Sequence, residues 1–359
     1  MFEIVDVQNN GTVIKVVGVG GAGGNAVDHM IRNTVQGVEF IAMNTDAQAL
    51  AYGQAKNQIQ LGASGLGAGA SPEIGRVAAM EAREQIEESL LGAHMVFITA
   101  GMGGGTGTGA APITAEIARE AGAVVIATVT MPFGFEMSRR SKNAVEGVKR
   151  LQPHTHTLIT IPNDRLLEAV PRSSSLDMAF RFADDVLRQG IQGIVELVTK
   201  PGLINVDFAH VRSLMQQGGG ALMAIGLGEG EEKASMAVHQ ALHHPLLEVN
   251  SLEFATGALL HFTGGDDLSL SEVGAAVESL RENLPLDVDV VLGVTPEPTM
   301  EGRVQVILVV TGIGGRPVRS FVTDQPEPFS IVSDNLDVPA FLRKRSSGVP
   351  SAPRQPQAS

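Results

Sequence analysis

The chain has 359 residues, 43% of them hydrophobic and 18% charged, a composition that supports a large buried core and excludes a wholly disordered protein. With 26 basic and 39 acidic residues its formal net charge is −13, so no overall positive field attracts nucleic acid or anionic lipid. The sequence shows no cysteine, no signal peptide and no apolar run of about 20 residues. We therefore expect a cytoplasmic protein without disulfides, direct membrane insertion or nucleic-acid binding.

The first half of the chain alternates between predicted strands and helices. Apolar runs rich in Val and Ile predict buried strands at 12–19, 38–43, 95–100, 124–129 and 157–161. Ser-Pro-Glu at 71–73 predicts the start of a helix that continues to about residue 91, and Gly122 is expected to end a second helix that begins at Pro112. Such a series predicts a mostly parallel sheet, which binds its ligands at the carboxyl ends of the strands.

The second half begins with a long helix, predicted over 176–199 because apolar residues recur there at helical spacing. A further module at about 205–313 contains a predicted helix near 232–242 and strands at 221–227, 257–262, 288–294 and 304–310. From Gly314 onward prolines accumulate and apolar residues become sparse, so we expect a disordered tail.

Two glycine-rich stretches, 18–25 and 101–109, each follow a predicted strand, and a third, 65–70, precedes the predicted helix at Ser71. Backbone N–H groups in such loops approach a phosphate closely, and a helix N-terminus adds partial positive charge. No Gly-Lys pair of a P-loop is present, so backbone dipoles and a divalent ion would neutralise the phosphates. The glycines at 18, 20 and 23 also fit G-x-G-x-x-G, which leaves an NAD(P)-dependent oxidoreductase open as an alternative, although the loop at 101–109 would then have no role.

The sequence Gly-Gly-Gly-Thr-Gly-Thr-Gly at 103–109 resembles the signature of the tubulin/FtsZ superfamily in its bacterial form. The segments 44–50, 65–73, 161–167 and 201–209 resemble FtsZ segments in the same order, and 336–345 is similar to the FtsZ C-terminal peptide. The resemblance implies a GTPase that binds GTP or GDP with Mg²⁺ and assembles head to tail with copies of itself. It also implies a role in the cytoplasmic division ring at midcell.

The same resemblance implies a domain organisation. An α/β GTP-binding domain with a Rossmann-like parallel sheet is expected at 1–175, a long central helix at 176–202 and a smaller α+β activation domain at 203–313. A short disordered linker at 314–333, a partner-binding peptide at 334–345 and a disordered tail at 346–359 would follow. Within the peptide, the resemblance assigns contacts with membrane-tethering division proteins to Leu336, Asp337, Pro339, Phe341, Leu342 and Arg343.

The resemblance further implies a set of nucleotide-binding residues. It places the phosphates on Gly21, Ala22, Gly23, Gly24 and Asn25, on Ala68, Gly69 and Ala70, and on Gly105, Thr106, Gly107 and Thr108. It assigns ribose and phosphate contacts to Glu136 and Arg140, and guanine contacts to Asn163, Asp184 and the stacking ring Phe180. A carboxylate at Asp184 can accept from both N1–H and the 2-amino group of guanine, a donor pair that adenine lacks.

The catalytic assignment concerns the segment 205–210, which the resemblance implies to be a loop that reaches the nucleotide of the next copy. Asp207 is expected to polarise the attacking water and Asn205 to help hold it. His210 stands where the family has a second acid, and an imidazole orients water less strongly than a carboxylate. We therefore expect slow hydrolysis, which leaves a second alternative, a slow-hydrolysing scaffold that does not act in division.

Other histidines and one methionine complete the candidates. The pairs at 154 and 156 and at 243 and 244 lack a third ligand at plausible spacing, so they are interpreted as surface residues and no residue is assigned to a metal. Met137 stands where the family usually has glycine after the acid at 136, so the family's local backbone and its ribose contact at Glu136 do not carry over directly.

Overall fold

The structure is a computed structural model that describes residues 12–167, 175–200, 202–204, 206–247 and 249–313. Its strands are β1 (Ile14–Val19), β2 (Glu39–Asn44), β3 (Asn57–Gln60), β4 (Met95–Gly101), β5 (Val124–Met131), β6 (Thr157–Pro162), β7 (Gly220–Glu229), β8 (Gly257–Gly264), β9 (Asp289–Pro296) and β10 (Arg303–Thr311). Its α-helices are α1 (Gly20–Arg32), α2 (Ala47–Tyr52), α3 (Pro72–Glu81), α4 (Arg83–Leu90), α5 (Thr106–Glu120), α6 (Ser138–Leu151), α7 (Asn163–Leu166), α8 (Leu176–Thr199), α9 (Phe208–Gln216), α10 (Lys233–Leu242) and α11 (Leu270–Arg281).

The strands form one sheet in the order β3-β2-β1-β4-β5-β6-β7-β10-β8-β9. The six strands from β3 to β6 are all parallel, so their carboxyl ends lie at one edge. β10 is antiparallel to β7 and β8, and β9 is parallel to β8. The two halves are joined by a short parallel pairing of β6 with β7, at Leu158↔Gly220 and Ile159↔Ala221. The order and direction of these strands confirm the predicted α/β class with a parallel sheet in the first half. The β6–β7 pairing makes this sheet continuous into the second module.

Both faces of β1, β4 and β5 are covered, which explains why these central strands are mostly apolar runs. Val16 of β1 packs in a core with α1 and α8, whereas the next residue, Val17, packs on the opposite face with α3, α4 and α5. The central helix α8 has the predicted bounds, because its apolar stripe continues over its whole length. No helix in the described ranges combines the length and apolarity that crossing a bilayer requires.

The helix predicted over 71–91 is wrong as one element, because it is broken into α3 and α4 at Ala82, which has φ −92° and ψ 12°. The break turns Ile86 into the core. Ile74 and Val77, apolar residues of α3, are 53% and 42% exposed. The buried residues of α3 are instead Gly75, Ala78 and Ala79, and a single helix axis does not continue through residue 82.

The helix predicted from Pro112 begins six residues earlier, at Thr106, so the second glycine stretch is a loop only as far as Gly105. Glycine is needed here for close packing: a Cβ on Gly109 would lie 2.0 Å from the carbonyl oxygen of Pro72. A Cβ on Gly107 would lie 2.6 Å from the carbonyl oxygen of Gly101. The N-terminal turn of α5 is therefore pressed against α3 and the end of β4.

The segment 205–210 is also not a simple loop. Residue 205 lies outside the described residues, Asp207 is the N-cap of α9, and His210 is in the first turn of that helix. Asp207 Oδ1 accepts a hydrogen bond from Ala209 N at 3.1 Å, a side-chain cap of the kind that starts helices. The linker, partner-binding peptide and tail predicted from 314 onward likewise lie outside the described residues.

Candidate nucleotide-binding site

A cavity of about 280 Å³ opens at the carboxyl ends of β1, β4, β5 and β6. This is the edge at which parallel α/β sheets bind ligands. The cavity is lined by Val19, Gly21, Ala22, Gly101, Met102, Gly104, Gly105, Thr106, Gly107, Thr130, Met131, Pro132, Glu136, Arg140, Asn163, Phe180, Ala183 and Asp184.

Two helix N-termini meet at one end of this cavity. Gly20, at φ +74°, turns the chain from β1 into α1, and a Cβ there would lie 2.9 Å from the backbone nitrogen of Gly107 in α5. Neither α1 nor α5 has an acidic residue in its first turn or a side-chain hydrogen bond at its N-cap within the described chain. Their first N–H groups are therefore open to an external acceptor, and both dipoles favour an anion.

The glycine loops also leave room for that anion. A Cβ built on Gly21 or Gly104 meets no described atom within 4 Å, so the backbone borders open space there. Thr108 hydroxyl accepts from Gly103 N at 2.9 Å, which fixes the second loop. The Thr106 hydroxyl is 2.6 Å from the hydroxyl of buried Thr45, which ties α5 to the end of β2. The arrangement fits phosphate groups held by main-chain donors.

The middle of the cavity carries a pair of opposite charges. Glu136 forms an ion pair with Arg140, and its Oε1 accepts from Phe133 N at 3.0 Å. Met137 follows with φ +76° and ψ 153°, backbone angles that residues other than glycine rarely adopt. Its side chain is 77% exposed. Met137 thus holds a backbone conformation that glycine tolerates better, and the ion pair of Glu136 with Arg140 is intact beside it.

The far end of the cavity presents hydrogen-bond acceptors. Asn163 is 4% exposed, and its Oδ1 has no partner among the described residues. Burial raises the pKa of Asp184 from 3.8 to about 6, with the charge of Arg32 opposing the shift. The ring of Phe180 lies edge to face on buried Phe133, at 5.2 Å between centroids. An unpaired amide oxygen and a desolvated carboxylate beside an aromatic ring match a base with N–H donors.

The structure brings together some of the predicted site residues and not others. Those that line the cavity are Gly21, Ala22, Gly105, Thr106, Gly107, Glu136, Arg140, Asn163, Phe180 and Asp184. Those that are described but do not line it are Gly23, Gly24, Asn25, Ala68, Gly69, Ala70, Thr108, Asp207 and His210. The segment 68–70 does reach the loop, since a Cβ on Gly105 would lie 2.7 Å from that of Ala68.

Sequence reasoning missed one side of the cavity, formed by Thr130, Met131 and Pro132. Thr130 and Met131 are the last residues of β5, and Pro132 follows them directly. The rule that ligands bind at the carboxyl ends of parallel strands was a sufficient signal to find them.

Fold and cavity together define a class: a tubulin-like α/β protein with glycine-lined helix N-termini, and no P-loop lysine, at the cavity where its sheet would bind a ligand. A family model described as the Tubulin/FtsZ family, GTPase domain, matches residues 13–171, and one for the FtsZ family, C-terminal domain, matches 219–314. The chain belongs to the FtsZ family. That membership argues against the NAD(P)-dependent oxidoreductase considered from the glycines at 18–23.

Two relatives and a solved structure of the FtsZ family are similar to this chain over most of its length. The cell division protein FtsZ of Buchnera aphidicola subsp. Schizaphis graminum is 45% identical, covering 96% of this chain and 100% of the relative. That of Pseudomonas putida is 45% identical, covering 99% and 88%. A solved FtsZ dimer from M. jannaschii superposes with a TM-score of 0.82 at 45% identity, covering 85% of this chain and 90% of that one.

Proposed function

We propose that this protein is a GTPase of bacterial cell division that assembles head to tail and hydrolyses GTP at the contact between two copies. The observation that carries the proposal is that the nucleotide cavity and the expected catalytic acid are separate within one copy. The cavity gathers phosphate-binding helix N-termini and base-binding acceptors, whereas the acid expected to activate water, Asp207, does not line it. A complete site then needs a second copy, as in a head-to-tail assembly.

Binding follows from the two ends of the cavity. The triphosphate lies on the N–H groups that begin α1 and α5, and the base lies between Phe180, Asn163 and Asp184. Guanine offers N1–H and its 2-amino group to these acceptors, whereas adenine offers an unprotonated N1 that would face an acceptor. The site therefore selects GTP over ATP.

Mg²⁺ supplies charge neutralisation on the phosphates when bound. No group of three or more His, Cys, Asp or Glu side chains gathers anywhere in the described chain. An ion here would take its ligands chiefly from phosphates and water, which is the usual mode of Mg²⁺ in nucleotide sites.

Hydrolysis is assigned to the segment before α9 of the neighbouring copy. The hydrogen bond from Ala209 N holds Asp207 through Oδ1, which orients Oδ2 to polarise a water in the next copy's site. Asn205 assists in holding that water. His210, one turn into α9, replaces a second carboxylate with an imidazole, so turnover is slow while assembly is retained.

The site of action follows from the same family. The protein works in the cytoplasm at the midcell division ring, and the peptide containing Leu336 and Phe341 binds membrane-tethering division proteins. A slow-hydrolysing scaffold outside division is the second candidate, and His210 is the residue that favours it.

The test measures phosphate release and sedimentation of the full chain over a range of protein concentrations with GTP. Turnover per molecule should be near zero in dilute solution and should rise once polymer sediments. The Asp207→Ala variant should still bind GTP but lose turnover, and Asp287→Ala, which removes an exposed acid elsewhere, should behave as wild type. Full turnover per molecule in dilute, unassembled protein would refute the proposal.

A further inference from the structure

Helix α10 carries two histidines one turn apart on its solvent face. His239 and His243 are both exposed, whereas Ala237, Val238 and Ala241 face the core. Residues at i and i+4 lie one above the other on a helix, so the two imidazoles share one patch of surface. Their ring centroids are 4.1 Å apart and the ring planes differ by 28°.

The hydrogen bond of His243 fixes which of its nitrogens carries the proton. Nδ1 of His243 lies 2.8 Å from the carbonyl oxygen of His239. A carbonyl only accepts, so Nδ1 is the donor in a neutral ring and Nε2 keeps its lone pair. Metal-binding histidines have this arrangement, since they donate the second ring N–H to a backbone carbonyl or a carboxylate.

Helix capping explains the position of the His243 ring but not that of the His239 ring. His243 is the C-cap of α10, and its backbone and ring both satisfy the last carbonyls of the helix. Capping gives no reason for a second imidazole stacked on the first. Nearby His244 has the opposite polarity: its Nδ1 accepts from Leu246 N at 3.2 Å, so its Nε2 is protonated and unsuited to bind a metal.

We propose that His239 and His243 chelate one divalent ion of the late first-row transition metals, with water completing its coordination. Imidazole nitrogens suit Cu²⁺, Ni²⁺ and Zn²⁺, and Cu²⁺ binds such ligands most tightly of the divalent series. In such a chelate each nitrogen lies about 2.0–2.1 Å from the ion, and the two rings turn out of the stacked arrangement to point their lone pairs at it. The net charge of −13 further favours a bound cation.

The site is separate from the nucleotide cavity, because no residue of α10 lines that cavity. The proposal therefore does not depend on GTP binding or on assembly.

The experiment is a Cu²⁺ titration of the untagged full chain without nucleotide, followed by calorimetry and by electron paramagnetic resonance. Wild type should bind one ion per chain, with coupling to two nitrogens. His239→Asn and His243→Asn should each raise the apparent dissociation constant at least about tenfold and leave coupling to one nitrogen at this site. Both residues are exposed, so circular dichroism should show an unchanged fold.

The matched control is His154→Asn, which removes a histidine outside α10 and should leave affinity and spectrum unchanged. Absence of binding, half an ion per chain, or a spectrum unaltered in either α10 variant would overturn the proposal. Equal weakening by His154→Asn would overturn it as well, because binding would then be spread over surface histidines.

Discussion

Replacing Asp184 with Asn tests whether the proposed base-binding end of the cavity costs the protein stability. The carboxyl group lies on α8 in the cavity wall, and burial raises its pKa from 3.8 to about 6. Because the folded-state pKa is raised, ionisation of this group is easier in the unfolded chain. The ionised carboxylate therefore weakens the fold above pH 6, and the weakening disappears below about pH 4, where both states are protonated.

The magnitude follows from the size of the shift. A change of about two pKa units corresponds to about 3 kcal/mol, and partial contact with solvent reduces it, which leaves about 1–3 kcal/mol. At about pH 8 Asp184→Asn should be more stable than wild type by that amount without nucleotide, and near pH 4 the two should be almost equal. GTP affinity should fall about 10- to 100-fold, because an amide turns an N–H donor toward the guanine donors.

The assay is urea unfolding at the two pH values without nucleotide, with GDP affinity measured by calorimetry at the higher one. Asp287→Asn removes the same charge from an exposed position and should change neither quantity. A variant that is less stable than wild type at about pH 8, or one whose advantage is the same at both pH values, would refute the reasoning that Asp184 is desolvated.

Three further substitutions test other parts of the account. Met137→Gly should relieve backbone strain at φ +76° and raise stability to urea by about 1 kcal/mol, whereas Met137→Ala should not; equal effects would exclude strain. Gly21→Asp should abolish GTP binding without unfolding the protein, since a side chain at residue 21 enters open space. Gly274→Asp, at a helical glycine with equal room, should bind GTP normally. GTP binding retained in Gly21→Asp would place the phosphates elsewhere. His210→Asp should raise GTP turnover at neutral pH while His154→Asp does not, and no gain would remove His210 as the cause of slow hydrolysis.

The sequence predicts best those elements that are marked by a long apolar pattern or by one residue type needed at a single position. The apolar stripe of α8 continues over 24 residues, and its bounds were found. Gly122, with φ +84° after α5, was recognised as a helix end because glycine tolerates that conformation. Five of the six strands of the parallel half were predicted because burial makes them apolar runs, whereas the edge strand β3, with one buried residue in Asn-Gln-Ile-Gln, was not.

The failures arise where tertiary contact overrides local pattern. Glycines at 107 and 109 indicate a loop by composition, but they are helical because only glycine fits against the backbone of α3 and β4. The join of β6 to β7 involves two residue pairs distant in sequence, which no local signal reveals. α11, by contrast, has a local signal in the sequence, the capping box of Ser269 and Glu272 at its N-terminus.

The candidate site likewise has one part that the sequence predicts and one part that it does not. Its phosphate end could be predicted from glycine spacing alone, since the chemistry is carried by the backbone. Its base end could not, because Phe180 and Asp184 fit an ordinary amphipathic helix and were identified only through the family resemblance. The histidine pair on α10 is not apparent from adjacency in sequence, which pairs His243 with His244, whereas helical geometry pairs His243 with His239.

A mixing experiment tests most directly whether one site is built from two copies. Gly21→Asp lacks a working pocket but keeps Asp207, and Asp207→Ala keeps the pocket but lacks the acid, so each variant alone should release no phosphate. Combined in equal amounts, they should recover up to about one quarter of wild-type turnover, the share of random head-to-tail contacts that unite an intact pocket with an intact acid. A mixture as inactive as its components would contradict the account, because pocket and acid would then have to act within a single copy.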